Sequence, residues 1–384
     1  MKTLLTLATL LTLAIAPALA DQGVSDSEVV IGSANDLSGP FAAFGAPAIK
    51  AAQLYLDEVN EKGGVHGRKI RLVVEDHGYQ VPKAVQATNK LVNRDKVFAM
   101  LLSLGTPHNI AAFKLLDAKG IPNINPLTLA RQMLQDPIKY KFTSGSSYYD
   151  VIKLTINYLA EEKSVKTVCS MYIPSDFGKE IQEAAVDMTE ELGLIYGGET
   201  THKPDESDYV GSLTKLKNAN CDLVAVALSV RGVITAVATA KKIGWDNVSF
   251  VGSHASFHTA IAKVPGGVTE GFYAGSTWQD LEARAGEPKV AEWIKSYTSA
   301  TGEEFPGTGA LIGRSTAEIL VRALEAAGKE LTTDSFIKAM ESLQFEDKIQ
   351  GNTVQFGPDD HTAAEEIFIS RIEGGSWKLV GQAR

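Results

Sequence analysis

Residues 29–74 read VVIGSANDLSGPFAAFGAPAIKAAQLYLDEVNEKGGVHGRKIRLVV, and the order of patterns in this stretch decides the fold. Residues 29–34 and 70–74 are short apolar runs of the kind that form buried strands. Between them, residues 48–61 place apolar side chains on one helical stripe, and Gly63 and Gly64 supply a helix C-cap. A strand, a helix and a second strand in this order predict a parallel strand pair joined by a right-handed crossover.

The same alternation continues along the chain. Further strands are predicted at 97–102, 121–124, 166–173, 194–197, 223–228 and 248–252. Further helices are predicted at 82–94, 108–119, 149–162, 178–192, 232–243, 288–301, 312–327 and 333–343, and short terminal strands at 353–356, 366–373 and 377–381. This pattern predicts an α/β protein with two Rossmann-like lobes, each built on a parallel sheet, and an antiparallel addition at the end. The length of 384 residues favours two lobes, because a single core stops growing at about 250 to 300 residues.

The overall charge argues against a nucleic-acid partner. The chain has 37 Lys and Arg against 46 Asp and Glu, which gives a net charge of −9. A surface that binds phosphates normally shows a basic excess or a stripe of Lys and Arg, and no such stripe is present.

The first twenty residues are typical of a signal for export. Lys2 supplies the positive n-region, residues 4–16 are dominated by apolar side chains, and Ala18-Leu19-Ala20 has the small-residue spacing of a cleavage site. Cleavage after Ala20 leaves 364 residues with a net charge of −10, since Lys2 is the one charge removed. The next residue is Asp21 and not Cys, so we expect a periplasmic protein without a lipid anchor.

Cys169 and Cys221 are the two cysteines of the chain. An oxidising compartment favours a disulfide between them. Cys169 falls in the middle of a predicted strand and Cys221 just before another, so the two can be offset along neighbouring strands. A disulfide and a pair of buried thiols both stay open.

Ligands of open parallel sheets bind outside the carboxyl ends of the strands, so the segments after each strand are the candidates for a site. Residues 37–45 form a small loop that places Phe44 near a helix start, and residues 126–129 follow the fourth strand. After the third strand, Thr106 is predicted as a helix N-cap with Pro107 as the first helical residue, and such a helix start offers N–H groups to an anion. Simple capping without a ligand is the alternative. In the second lobe, Phe177 follows the first strand.

Motifs for enzymatic chemistry are weak. Residues 307–313 have glycines spaced as GxGxxxG, which departs from the dinucleotide fingerprint, and they fit the opening of a helix better. His254 and His258 are four residues apart, but no third metal ligand accompanies them. The sequence has no GxSxG, HExxH or Walker motif. We therefore predict no enzyme, no catalytic residue, no cofactor and no metal site.

Three motifs carry a resemblance to a known family. These are Val30-Ile31-Gly32 with Leu37-Ser38-Gly39-Pro40, the run from Asn60 to Ile70, and Ser175-Asp176-Phe177-Gly178. Together they resemble the branched-chain amino-acid binding proteins of ABC importers, over essentially the whole mature chain.

The resemblance implies the type I periplasmic binding fold, in which two lobes are joined by three crossovers and close on a small molecule. The implied crossovers lie near 142–143, 276–277 and 345–347. The implied first lobe is then 21–142 with 277–346, and the second lobe is 143–276 with 347–384.

The resemblance also implies a set of ligand residues. A ligand carboxylate would be held by Ser103, Leu104, Gly105, Thr106, Leu127 and Thr128. Phe44 and Phe177 match aromatic positions that pack on the ligand, and Ser229, Arg231 and Tyr149 or its neighbour Tyr148 would reach the cleft.

His254 stands where the family has an acidic residue that binds an α-amino group. An amino acid and an aromatic or aliphatic acid therefore both stay open as ligands, and Asp150 or Asp176 could still accept an amine.

The expected function is that of an exported, monomeric solute-binding protein. It would capture a small carboxylate-bearing ligand and deliver it to the membrane permease subunits of an ABC importer, with no nucleic-acid partner. The alternatives are a sensor whose closed form docks on a membrane receptor, and a nucleotide-dependent enzyme, against which the glycine spacing speaks.

Overall fold

The predicted strand, helix and strand at the start of the chain are β1 (Glu28–Asn35), α1 (Ala42–Glu61) and β2 (Lys69–Asp76). β1 and β2 pair in parallel along their whole length, from Glu28 beside Lys69 to Asn35 beside Asp76. The structure, a computed structural model, describes residues 21–383, and the predicted signal peptide at 1–20 lies outside the described residues.

The first lobe is built on a parallel sheet of five strands, in the order β2, β1, β3, β4, β5. Its remaining elements up to the first crossover are α2 (Val81–Asn93), β3 (Ala99–Leu101), α3 (Thr106–Lys119), β4 (Asn123–Ile124), the 3₁₀ helices Arg131–Leu134 and Ile138–Tyr140, and β5 (Lys141–Phe142). Later in the chain, α9 (Pro288–Thr301), α10 (Thr308–Ala327) and α11 (Thr333–Glu341) follow, and α10 packs along α1.

The second lobe is built on a sheet of seven strands, in the order β14, β13, β10, β9, β8, β6, β7. Its elements are α4 (Tyr148–Lys163), β6 (Thr167–Tyr172), α5 (Asp176–Glu191), β7 (Ile195–Thr201), α6 (Val210–Asn218), β8 (Leu223–Ala227), α7 (Val230–Lys242), β9 (Ser249–Gly252), α8 (Thr259–Ala262), β10 (Tyr273–Ser276), β13 (Ile367–Glu373) and β14 (Ser376–Ala383), with 3₁₀ helices at His254–Ser256 and Pro265–Gly267. The strands β6 to β10 pair in parallel, whereas β13 and β14 add in antiparallel fashion. The predicted two-lobed α/β fold is therefore confirmed.

Three segments connect the lobes. The chain passes from β5 to α4, from β10 to α9, and from the antiparallel hairpin β11 (Gln344–Asp347) and β12 (Asn352–Gln355) to β13. The first and third segments touch at a parallel bridge between Thr143 and Thr362.

The two cysteines form a disulfide that ties together neighbouring strands of the second sheet. Cys169 lies in β6 and Cys221 lies just before β8, with their Cα atoms 5.9 Å apart. Gly197 of β7 packs on both sulfurs, because a Cβ at this position would lie 2.8 Å from Cys169 Sγ and 3.4 Å from Cys221 Sγ. The question that the sequence left open is settled in favour of the bridge.

The predicted start of the first helix at residue 48 is wrong, since α1 begins six residues earlier and contains Pro47. A proline inside a helix cannot donate to the carbonyl four residues before it, here that of Ala43. His258 Nε2 of the second lobe lies 3.2 Å from that carbonyl oxygen and so supplies a partner in place of the missing amide. A contact between the lobes thus compensates the helix for its proline.

The glycines of residues 307–313 open α10, as predicted, and allow it to approach α1 closely. A Cβ at Gly309 would lie 2.6 Å from the carbonyl oxygen of Phe44, and one at Gly313 would lie 2.0 Å from that of Ala48. Within residues 21–383, no helix combines the length and the apolar composition that crossing a membrane requires.

Candidate functional site

A cavity lies between the lobes, at the segments that follow the carboxyl ends of the strands. It is lined by Phe41, Phe44, Tyr79, Leu104, Gly105, Thr106, Pro126, Leu127, Thr128, Leu129, Ser144, Tyr148, Phe177, His254, Ala255, Trp278 and Ile312. The cavity offers about 60 Å³ of space to the centres of water-sized molecules. Because one water needs about 10 to 15 Å³ on this measure, the cavity admits a compact molecule.

Eight of the residues predicted from the sequence line this cavity. They are Phe44, Leu104, Gly105, Thr106, Leu127, Thr128, Phe177 and His254. They come from both lobes and from segments that are up to 210 residues apart in the chain. Seven of them belong to segments that the rule on the carboxyl ends of parallel strands singled out, whereas the prediction of His254 rests on the family resemblance.

A pair of threonine hydroxyls forms one polar side of the cavity. Thr106 Oγ1 and Thr128 Oγ1 lie 2.6 Å apart, at the start of α3 and in the loop after β4. The two loops are held in place by backbone bonds, since Leu127 N donates to Ser103 O at 3.0 Å and Gly105 N donates to Leu127 O at 3.4 Å.

The prediction that Thr106 is the N-cap of α3 is wrong by one residue. The N-cap is Gly105, with φ of 100°, so Thr106 is the first helical residue and its side chain makes no cap bond. A side chain at residue 105 would collide with His108, whose Nδ1 lies 2.3 Å from the position of a Cβ. The glycine therefore frees the Thr106 hydroxyl to face the cavity instead of capping the helix.

The first turn of α3 adds backbone donors beside these hydroxyls. The first N–H groups of a helix have no partner within the helix, and they carry the positive end of its dipole. Pro107 contributes no N–H, so the donors of this turn are the amides of Thr106 and His108. This combination of hydroxyls and amides suits an anionic group.

Six rings in a continuous series of contacts surround the rest of the cavity, and we call them the aromatic collar. The collar runs from Tyr79 to Phe41, Phe177, Tyr148, His254 and Trp278, with successive ring centroids 4.3, 5.9, 5.4, 5.9 and 5.0 Å apart. Residues of both lobes contribute to it, and it would enclose an apolar or planar body.

Among the described residues that line the cavity, none is Asp, Glu, Lys or Arg. The nearby buried carboxylate of Asp36 is engaged elsewhere, because its oxygens accept hydrogen bonds from the amides of Gly39 at 2.6 Å and Phe41 at 2.8 Å. Burial raises the pKa of Tyr148 to about 12 and lowers that of His254 to about 3. Both side chains are thus uncharged at neutral pH.

Two nitrogens on the wall of the cavity formed by His254 and Trp278 have no partner among residues 21–383. They are Nδ1 of His254 and Nε1 of Trp278, whose side chains are 2% and 3% exposed. The other ring nitrogen of His254, Nε2, lies 3.3 Å from Thr277 Oγ1. A buried polar group that is left without a partner is unfavourable by about 1 to 3 kcal/mol.

Four predicted residues lie away from the lining. Ser103 is buried behind the wall, where its Oγ lies 3.4 Å from Ala34 N. Ser229 caps α7 by accepting from Gly232 N, and Arg231 is exposed in the first turn of that helix.

Tyr149 faces a separate surface groove, where its hydroxyl donates to Asp187 at 2.6 Å, whereas its neighbour Tyr148 lines the cavity. Of the acids considered for an amine, Asp150 lines that groove and Asp176 is exposed.

Three rings of the collar, those of Phe41, Tyr79 and Trp278, were not predicted as ligand contacts, and the rule on strand ends points to the last two. Tyr79 follows the carboxyl end of β2, and Trp278 follows that of β10. Both are large aromatic residues within three positions of a strand end, which is closer than Phe177, five positions after the end of β6. Within the described range, no three His, Cys, Asp or Glu side chains gather closely enough to hold a metal ion.

Comparisons with known proteins give consistent results. The family model described as "Periplasmic binding protein" matches residues 28–376. An amino acid binding protein of Pseudomonas aeruginosa is 25% identical over 201 residues, which cover 52% of this chain and 53% of that relative, or about half its length. Leu/Ile/Val-binding protein homolog 7 of Brucella melitensis is 21% identical over 97% of this chain and 95% of its own. Among solved structures, the fatty acid ABC transporter substrate-binding protein from Thermomonospora curvata has a TM-score of 0.85 and 25% identity, over 95% of this chain and 94% of that chain.

Proposed function

Because this chain belongs to the periplasmic binding protein family, we propose that it is the exported solute-binding component of an ABC importer. Its ligand is a small molecule with a carboxylate, captured between the two lobes. The observation that carries the proposal is the apolar cavity with one side of hydrogen-bond donors that suits an anion, formed by Thr106, Thr128 and the first turn of α3.

The carboxylate lies against that side of the cavity. Two hydroxyls and the free amides of a helix start can donate several hydrogen bonds to it, and bonds to a charged acceptor are the stronger ones. The protein as a whole is acidic, so the field of its net charge does not attract an anion. Local donors therefore have to provide the binding energy.

The rest of the ligand is compact and apolar. The aromatic collar supports a branched aliphatic or an aromatic body, and about 60 Å³ of available space does not accommodate a long extended chain. Arg231, Ser229, Ser103 and Tyr149 take no part in our proposal for the ligand contacts.

Ligand binding favours closure of the lobes, because the ligand contacts both lobes at once only in the closed form. We propose that residues 21–142 with 277–346 move against residues 143–276 with 347–384. The closed monomer would present the surface that membrane permease subunits recognise, in the periplasm, after cleavage of residues 1–20.

The test is a thermal-shift screen of purified protein, first unfolded and refolded to remove any bound ligand. Amino acids, short branched acids and benzoate derivatives serve as the probes. A ligand present at one hundred times its dissociation constant should stabilise the folded state by about 2.7 kcal/mol. We expect a shift with at least one compact carboxylate.

Thr128→Val tests the role of the hydroxyl pair, because it removes one of the two hydroxyls and keeps the size of the side chain. We expect it to weaken binding of the identified carboxylate about tenfold or more. If no carboxylate shifts the melting temperature of the refolded protein, the proposed function is wrong.

A further inference from the structure

Trp278 Nε1 sets a chemical requirement on the ligand that the proposed function does not specify. An indole N–H is a hydrogen-bond donor and never an acceptor, so its partner has to be an acceptor. Buried tryptophans usually have such a partner, and within the described residues this one has none. The indole lines the cavity, with its side chain 3% exposed.

His254 is placed to act together with this donor. Its ring centroid lies 5.0 Å from that of Trp278, and its Nδ1 is also without a partner among the described residues. When the Thr277 hydroxyl donates to Nε2, over 3.3 Å, the proton of the neutral ring sits on Nδ1. The two neighbouring rings then carry one N–H donor each, and neither donor has a partner among the described residues.

The lining also lacks the groups that an ammonium requires. A buried ammonium without a carboxylate partner is strongly disfavoured, and the cavity has no acidic residue. Asp150 and Asp176, the two candidates for binding an amine, lie outside the cavity. The carboxylate of Asp36 already accepts hydrogen bonds from backbone amides.

From these observations we infer that the ligand is a compact carboxylic acid without an amino group, whose second polar atom is an uncharged acceptor oxygen bound by Trp278 and His254. A 2-oxo acid with a branched or aromatic side chain meets this description. The inference rests on the proposed function, because it assumes that the carboxylate lies at Thr106 and Thr128.

The test compares ligands with one carbon skeleton and three different groups at C2. For the branched skeleton these are 4-methyl-2-oxopentanoate, L-leucine and 4-methylpentanoate, and for the aromatic skeleton phenylpyruvate, L-phenylalanine and 3-phenylpropanoate. In isothermal titration calorimetry, we expect the oxo acid of at least one set to bind at least tenfold more tightly than both its partners, because it alone adds an acceptor without adding a positive charge.

Trp278→Phe removes the N–H donor and keeps an aromatic ring. We call 4-methylpentanoate and 3-phenylpropanoate, which carry no oxygen at C2, the deoxy acids. We expect this variant to lose the preference for the oxo acid over the deoxy acid, while its affinity for the deoxy acid changes little. Trp293→Phe, in α9 and away from the cavity, is the matched control and should keep the preference.

A second readout is made on the native protein, and the variant serves only to assign the signal. The chain has four tryptophans, so the ¹⁵N-labelled native protein gives four indole signals, and the one absent from Trp278→Phe is that of Trp278. We expect the oxo acid to shift this signal downfield and the deoxy acid to leave it near its original position.

Three results would overturn the inference. The first is that the amino acid binds as tightly as the oxo acid. The second is that Trp278→Phe keeps the preference for the oxo acid, and the third is that the indole signal of Trp278 does not shift when the oxo acid binds. Each of these would leave the proposed function intact. Failure of every carboxylate to bind would overturn the proposed function itself.

Discussion

At the scale of single residues, His254 is a histidine that the fold keeps uncharged. Burial lowers its pKa to about 3 in the folded protein, whereas the pKa of a histidine in an unfolded chain is about 6.5. Between these two values the unfolded state binds the proton and the folded state does not. Acid therefore destabilises the fold through His254, and the free energy of unfolding begins to decrease as the pH falls below about 6.5.

We predict that His254→Gln reduces the sensitivity of the fold to acid. Between pH 7 and pH 5, the free energy of unfolding of the native protein should fall by about 2 kcal/mol more than that of the variant, because the variant has no group to protonate here. Urea denaturation of both proteins at the two pH values measures the difference. Equal losses in both proteins would show that His254 accepts a proton in the folded state.

At the scale of secondary structure, the packing of α10 on α1 depends on glycines. A Cβ at Gly313 would lie 2.0 Å from the carbonyl oxygen of Ala48, which is backbone and cannot turn aside. By contrast, a Cβ at Gly307 would find its nearest neighbour, Thr259 Oγ1, at 4.0 Å. The two positions belong to one glycine-rich segment but differ in what surrounds them.

We predict that Gly313→Ala lowers the free energy of unfolding by about 2 to 3 kcal/mol, because the helices have to separate. Gly307→Ala, the matched control, should lower it by less than about 1 kcal/mol, which reflects only the exchange of an N-cap residue. Urea denaturation of the two variants provides the comparison. A similar loss in both would contradict a specific role for the contact between α1 and α10.

The same two helices show how far the sequence predicts the structure. The period of apolar residues predicted most of the strands and helices in their order, because burial of one face depends on local spacing. It missed the short strands β5, β10 and β11 and the helix α6. The start of α1 was wrong because Pro47 is typical of a boundary, and its tolerance depends on His258, which is distant in the chain. Contacts of this kind leave no local pattern.

The site was predictable to the extent that it follows strand ends. Phe177 and Thr128 come directly after strands, and the rule found them. Tyr148 and Tyr149 differ by one position on α4, which turns the side chain by about 100° and decides between the cavity and the outer groove. Nothing in the spacing distinguishes these two tyrosines, because their orientation depends on how α4 packs on α5.

At the scale of the whole molecule, the two lobes are joined across the cleft by an ion pair. Arg131, in a 3₁₀ helix of the first lobe, places Nε 2.8 Å from Oε1 of Glu180 in α5 of the second lobe. The terminal nitrogen Nη2 of Arg131 lies 2.7 Å from Oε2 of Glu183, and the central carbon of its guanidinium lies 3.9 Å from the ring centre of Tyr149. The side chain of Glu180 is fully buried beside Arg131.

Opening of the lobes would separate this pair and hydrate Glu180. Loss of Arg131 therefore weakens the closed form more than the open form, because only in the closed form is a carboxylate left buried without its partner. Arg131 is itself 43% exposed, which limits the effect through screening by solvent. We predict that Arg131→Ala weakens ligand binding roughly tenfold, although Arg131 does not line the cavity.

The double variant Arg131→Ala with Glu180→Gln distinguishes closure from general damage to the fold. Since a neutral amide is much less unfavourable when buried than an unpaired carboxylate, the second change should restore part of the lost affinity. Lys289→Ala removes an exposed ion pair with Glu292 inside α9 and should leave affinity unchanged. Calorimetry gives the affinities, and small-angle X-ray scattering at saturating ligand gives the degree of closure. If Arg131→Ala binds like the native protein, the ion pair contributes nothing to the balance between the open and closed forms.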